Sequence, residues 1–184
     1  GDEARRLLEE AGVPVPRWEV VSVDGAGEAA DRLGYPVVVK AAGLAHKTEA
    51  DAVALDLSDA GAVGEVVRRI AEASTTETVI VERQVSDAVV ELLVSVRRED
   101  PVGWLLTVGA GGILVEVLED TRSLLLPVTA EDVRSALQGL SVWPLLAGYR
   151  GRPGADVEAV VDAVLGVVRM VVAGDGLVEV ECNP

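Results

Sequence analysis

Leu33-Gly34-Tyr35-Pro36-Val37-Val38-Val39-Lys40, continuing through Ala45-His46-Lys47-Thr48-Glu49, decides how the rest of the chain is read. Its first half is a run of β-branched apolar residues entered through a Gly-Tyr-Pro turn, the pattern of a buried strand. The run closes on Lys40, so a desolvated segment delivers a cation to its own tip. Six residues on stands His46, the single histidine of the chain, with Lys47 beside it. A rigid strand ending in a positive charge, followed by a loop with a titratable ring, suits the placement of groups against a phosphate. A solvated lysine and an idle loop histidine give the same local pattern, so the stretch takes its meaning from what accompanies it.

The surrounding composition is globular. The 184 residues are 49% hydrophobic, enough for one good core or two small lobes. A net charge of −15 excludes a broad nucleic-acid footprint, because a phosphate backbone would be repelled. An acidic protein can still take a nucleotide where a few cations are placed locally, and it then usually needs a divalent metal between its carboxylates and the phosphates. Cys182 stands alone, which rules out an internal disulfide framework and fits a reducing cytoplasm. Gly1-Asp2-Glu3-Ala4-Arg5 is not a signal peptide. The most apolar stretch, 157–172, is interrupted by Glu158, Asp162 and Arg169, so no membrane span is expected. With no initiator Met and an ending at Asn183-Pro184, the sequence reads as a fragment of something larger.

Taken in order, residues 2–11 form a short helix ended by Gly12, and Val13-Pro14-Val15-Pro16 a stiff connector. A strand over 18–23, a helix over 25–33 and the 37–40 strand follow. Residues 51–57 alternate, with Ala52, Ala54 and Asp56 against Val53, Leu55 and Leu57, as in a half-buried strand. Ser58 caps a helix over 59–73 whose Val63, Val66, Val67 and Ile70 share a face. A buried strand over 78–81 leads into Glu82-Arg83-Gln84-Val85, an exit hinge. The second half changes character: strands at 89–96, 104–108, 113–118 and 123–126 suggest an antiparallel meander. Thr129-Ala130-Glu131-Asp132 opens a helix with a capping-box pattern, a short apolar element with Pro144 follows, and a long helix spans about 155–172 with Val160, Val164, Val167, Val168 and Val171 inward. The last strand is 177–183. The whole reads as α/β (α+β), with a small α/β lobe at 18–83 and a larger lobe at 84–184.

Several residues could carry chemistry. In the last strand, alternation puts Glu179, Glu181 and Asn183 on one face and Val178, Val180 and Cys182 on the other. A row of oxygen donors backed by a core face suits a hard cation such as Mg²⁺, although wet edge strands carry glutamates too. Gly109-Ala110-Gly111-Gly112 joins two strands and lets backbone amides approach a ligand. It lacks the sequel of a Walker or Rossmann loop, and a tight hairpin reads the same way. Glu82, Glu91, Glu116 and Asp120 lie in or beside apolar runs, where a carboxylate must be bonded or bind something. Arg150 and Arg152 in the Gly148–Gly154 turn offer phosphate or carboxylate contacts.

These pieces in this order resemble the ATP-grasp domain of the NDP-forming acyl-CoA synthetases, the ADP-forming acetate–CoA ligase type related to the succinyl-CoA synthetase β subunit. The resemblance spans essentially the whole chain, 1–184. It implies a two-lobed ATP-grasp fold that takes Mg-ATP or Mg-ADP, with Lys40 and Lys47 at the phosphates. Glu82 to Val85 would be the adenine hinge, Gly111 and Gly112 the glycine turn at the nucleotide, Glu116 a nucleotide contact near the ribose, and Glu181 and Asn183 metal ligands. His46 would relay a phosphoryl group between the nucleotide and a phosphohistidine on a CoA-binding and ligase-like partner domain or subunit. The chain has Ala50-Asp51-Ala52 where the family has Gly-Gly, and Glu179-Val180-Glu181 in place of the commoner Glu-Leu-Asp. The family's further metal-binding aspartate would come after residue 184. The same resemblance leaves open a non-catalytic regulatory module fused to a protein acetyltransferase or other partner.

Overall fold

A computed structural model describes residues 2–42, 53–74, 76–112, 119–174 and 176–183. His46, Lys47, Glu116 and the strand expected at 113–118 lie outside the described residues. The chain divides into two units: residues 1–6 with 15–86, and residues 7–14 with 87–184.

The first unit is built on a four-stranded antiparallel sheet in the order β1-β4-β2-β3. Its strands are β1 Trp18–Ser22, β2 Val37–Ala41, β3 Val53–Leu57 and β4 Thr78–Arg83, and its helices are α2 Ala26–Leu33 and α3 Ala60–Ser74. Val37 and Val39 of β2, with Val79 and Val81 of β4, pack against Ala29, Ala30, Val63 and Ile70 of the two helices, all fully buried. Strand alternation sends Val38 and Lys40 to the opposite face. There Glu82 pairs across from Val38, and Ile80 across from Lys40. Val38 and Ile80 are buried as well, so β2 is apolar on both faces up to its terminal lysine. The 78–81 strand runs on to Arg83, which places Glu82 within the ladder and not after it.

Two local expectations are corrected. Asp59, not Ser58, caps α3, its Oδ1 accepting the Ala62 N–H at 2.9 Å. In β3 the alternation breaks, because Val37 pairs with Leu57 whereas Val39 pairs with Ala54. One extra β3 residue is thereby taken up opposite Val38, the mark of a β-bulge. Asp56 adopts φ 58° there, a conformation aspartate tolerates better than most residues. Ala54 and Leu57 consequently both face the core, and Leu55 is exposed.

The second unit holds the antiparallel sheet β7-β6-β5-β8, with β5 Leu92–Glu99, β6 Gly103–Ala110, β7 Thr121–Leu125 and β8 Glu179–Cys182. Helices α4 Ala130–Gln138, α5 Trp143–Ala147 and α6 Val157–Ala173 complete it. The helix-side face carries Val94, Val96, Leu106, Val108, Leu124, Val180 and Cys182, packed with Val133, Leu137, Val161, Val164, Val167 and Val171. The other face mixes polar and apolar residues: Ser95 lies opposite Thr107 and Glu181, Arg97 opposite Glu179 and Leu105, Thr107 opposite Ser123, and Leu105 opposite Leu125. The Thr107 and Ser123 hydroxyls are hydrogen-bonded at 2.9 Å. The Thr129–Asp132 capping box at α4 is present in full, with both reciprocal bonds made. α5 begins with Pro144 in its first turn, where no intrahelical N–H is needed.

The helix α1, Asp2–Glu10, ends as expected at Gly12, whose φ is 76°. Leu8 and Val13 join the second core. Val13 crosses α6 at Gly166: a Cβ there would lie 2.7 Å from Val13 Cγ2 and 3.3 Å from the Ala11 carbonyl oxygen. Contacts this close require the neighbour to shift. Gly166→Val is expected to cost about 1–3 kcal/mol through overpacking, read as a lower urea midpoint with an unchanged m-value.

Candidate functional site

The described candidate residues form one group in each unit. In the first unit, Lys40 Nζ donates to Glu82 Oε2 at 3.1 Å. Arg5 of α1 donates to the same carboxylate oxygen, and its guanidinium lies over the Trp18 ring, 5.5 Å from the centroid, in reach of a cation–π attraction. The three side chains are only 17% (Arg5), 13% (Glu82) and 22% (Lys40) exposed. Two cations thus share one carboxylate where water screens them incompletely. Glu82 anchors Lys40 and Arg5.

The segment after Glu82 is fastened by side chains. Arg83 Nη1 donates to the carbonyls of Gly34 and Pro36 at 3.2 and 2.9 Å, and the Gln84 N–H donates to Pro36 at 3.0 Å. Gln84 also closes a two-bond ring with Asp56 of the bulge: its Nε2 donates to Asp56 Oδ1, and its Oε1 accepts the Asp56 N–H, each at 2.7 Å. Val85 follows directly and is 57% exposed.

In the second unit, β8 alternates as expected: Glu179 and Glu181 are exposed, while Val180 and Cys182 pack on the core. Asn183 Oδ1 accepts the Gly112 N–H at 2.8 Å. Gly111 N–H donates to the Glu91 carbonyl at 2.8 Å. A Cβ on Gly111 would lie 2.6 Å from the Leu92 carbonyl carbon. On Gly112, at φ 66°, it would lie 1.7 Å from Glu91 Oε2. Gly111 is therefore required by the close approach of its backbone to Leu92, and Gly112 by its positive φ, since the Glu91 carboxylate is the movable end of an exposed side chain. Burial, with the Glu181 charge adding to it, pushes the Cys182 thiol above its ordinary pKa.

Among the described residues no group of three or more His, Cys, Asp or Glu side chains is placed to hold a metal ion. Glu181 and Asn183 are nevertheless oxygen donors on one sheet face, and Asn183 is oriented through Gly112. That donor set fits a Mg²⁺ ion that keeps several waters and completes its shell with phosphate oxygens. Glu91 and Asp120, noted as costly acids, have ordinary explanations. Glu91 precedes β5 and is exposed. Buried Asp120 accepts from Ser141 Oγ and the Val142 N–H, both at 3.3 Å. Arg150 lies over the Tyr149 ring at 5.2 Å, and both Arg150 and Arg152 are exposed. Arg5 carried no signal in the sequence, since its partner lies 77 residues away.

A family profile described as the ATP-grasp domain matches residues 1–184. The chain is 34% identical over 185 residues to an ADP-forming acetate–CoA ligase II of Archaeoglobus fulgidus, spanning 99% of this chain but 27% of that protein. It is 30% identical to the β subunit of ADP-forming acetate–CoA ligase II of Pyrococcus furiosus, over 99% of this chain and 81% of that subunit. A solved structure of the dinucleotide-forming acetyl-coenzyme A synthetase 1 of Candidatus Korarchaeum cryptofilum, with coenzyme A and Ca-AMPCP, superposes with a TM-score of 0.89 at 26% identity, covering 100% of this chain and 84% of that one. Another structure of that protein holds coenzyme A and Mg-AMPPCP, with its phosphohistidine segment pointing towards the nucleotide-binding site. The chain belongs to the ATP-grasp domain family. Within it, the chain is a relative of the ADP-forming acetate–CoA ligases and corresponds to their β subunit.

Because its pKa is raised, Cys182 holds less thiolate at neutral pH than a free cysteine, and the thiolate is the reactive form. Iodoacetamide at pH 7 should label Cys182 more slowly in the folded protein than in urea. Fast labelling of the folded protein would place Cys182 outside the core.

Proposed function

We propose that the chain is the nucleotide-binding domain of an ADP-forming acyl-CoA synthetase and transfers a phosphoryl group between phosphohistidine and ADP. The parent reaction would be acyl-CoA + ADP + phosphate ⇌ carboxylic acid + CoA + ATP. The observation that carries the reading is Lys40, a cation held at 22% exposure at the end of a strand buried on both faces, in a chain that matches an acetate–CoA ligase β subunit along 81% of that subunit.

On this reading Lys40 and Lys47 hold the phosphates by charge-assisted hydrogen bonds. Glu82 to Val85 present backbone groups and the Val85 surface to the adenine. Glu116 contacts the ribose side, and Gly111 and Gly112 bring main chain close to the nucleotide. Glu181 and Asn183 would hold Mg²⁺, which when bound neutralises the charge on the transferring group. His46 accepts the phosphoryl group as neutral imidazole, a nucleophile near pH 7. In transfer to ADP its N–P bond breaks as a bond forms to the terminal oxygen of ADP. The CoA-binding and ligase-like partner, as a fused domain or separate subunit, would supply the phosphohistidine. Support comes from the K. cryptofilum complex with Mg-AMPPCP and the phosphohistidine segment. The small first unit 18–83 and larger unit 84–184 would act as the two lobes of the domain. No helix of the described residues is long and apolar enough to cross a membrane, and with a lone cysteine we place the protein in the cytoplasm, with no nucleic-acid partner.

Calorimetry with Mg-ATP and Mg-ADP should give saturable binding, weakened about tenfold or more by Lys40→Ala, the scale of a lost charged hydrogen bond. Absence of heat and of any thermal shift would mark a plain α/β interaction domain instead. His46→Ala should keep nucleotide affinity and abolish phosphoryl transfer in the enzyme reassembled with its partner. Collapsed affinity would make His46 a binding residue, and wild-type binding without transfer in that assembly would favour a regulatory module.

A further inference from the structure

We infer that Arg5 is a positioning residue for Lys40: it neutralises Glu82, so that Lys40 retains a charge for an anionic ligand, here a nucleotide phosphate. The inference rests on the reading of Lys40 given above and adds a residue from the first helix to it.

Lys40 and Glu82 alone would make a closed pair of zero formal charge. A phosphate approaching such a pair must first pull the ammonium from its carboxylate. With Arg5 on the same oxygen, Glu82 Oε2, these three side chains carry two positive charges and one negative, a formal surplus of +1 within the trio. A purely structural bridge needs only one cation, and placing a second nearby adds repulsion that partial burial does not screen away. The surplus is offset when an anion arrives. Arg5 is also suited to hold station. Its guanidinium is planar, and its contact with the Trp18 ring at 5.5 Å fixes the plane while the edge donates to Glu82. An ammonium has no such stacking face. Lys40 in turn has three donors and, among the described residues, spends one on Glu82; on this inference the others serve phosphate oxygens.

The test compares substitutions whose effects have opposite signs. Mg-ADP affinity is measured by calorimetry at two ionic strengths, with circular dichroism confirming the fold. Arg5→Gln should weaken binding on the order of tenfold, the scale of one charged contact. Arg5→Lys should recover most of it. Glu82→Gln should tighten binding, because it releases Lys40, and Arg5→Gln added to Glu82→Gln should then have less than about a twofold effect. A merely structural ion pair gives another pattern: both single substitutions weaken binding along with stability, and the double substitution costs little more than either one alone. Unchanged affinity in Arg5→Gln, or weakened affinity in Glu82→Gln, overturns the inference. Should Arg5→Gln not fold, the sign of the Glu82→Gln effect decides alone. If the unsubstituted protein binds no nucleotide, the reading of Lys40 fails and this inference with it. If it binds and Lys40→Ala weakens it while Arg5→Gln does not, only the role of Arg5 fails.

Discussion

The antiparallel pairing of β2 with β4 is the constraint on which the candidate site depends. Val37 and Val39 bury themselves among α2 and α3, and that burial leaves Val38 and Lys40 no choice but the opposite face. The register sets Val38 against Glu82, so the lysine at the end of one strand lands beside the glutamate near the end of its neighbour. A slip of one residue would turn Lys40 into the valine core. Packing of the apolar face therefore fixes the chemistry of the polar one, at no cost beyond the strand's own burial.

The second unit uses the same logic with a different emphasis. Its sheet is apolar towards α4 and α6, and its other face sets Ser95, Thr107 and Ser123 among Leu93, Leu105 and Leu125. Gly109 and Gly111 admit no side chain, because Thr121 and Leu92 already occupy that space. At the edge, Glu181 and Asn183 supply oxygen donors, with Asn183 tied to Gly112.

Much of this was legible in the chain itself. The capping box at Thr129 and Asp132 is a local device, complete within four residues, and it formed as read. The two-faced apolar run of β2, the Gly12 stop, the alternation of β8 and the meander of β5, β6 and β7 are likewise set by neighbours in sequence. The misreadings have separate causes. The bulge at Asp56 arises because Gln84, 28 residues on, binds both its backbone and its carboxylate. Asp59 and Ser58 are both local cap candidates, and it is Asp59 whose carboxylate accepts the Ala62 N–H of the helix that begins at Ala60. The two sheets, both antiparallel throughout, follow from pairings such as β5 with β8 that join opposite ends of the second unit.

The sequence by itself determined which segments are strands and helices, where a cation ends a buried run, and which strand face carries acids. Those properties depend on periods of two and 3.6 residues and on side chains close in the chain. Tertiary structure alone decided that Glu82 is the partner of Lys40, that Arg5 shares its carboxylate oxygen, and that Asn183 locks onto Gly112. Each of these joins residues 42 to 77 positions apart. Such meetings depend on the register and packing of whole elements, and no local pattern of residues encodes them.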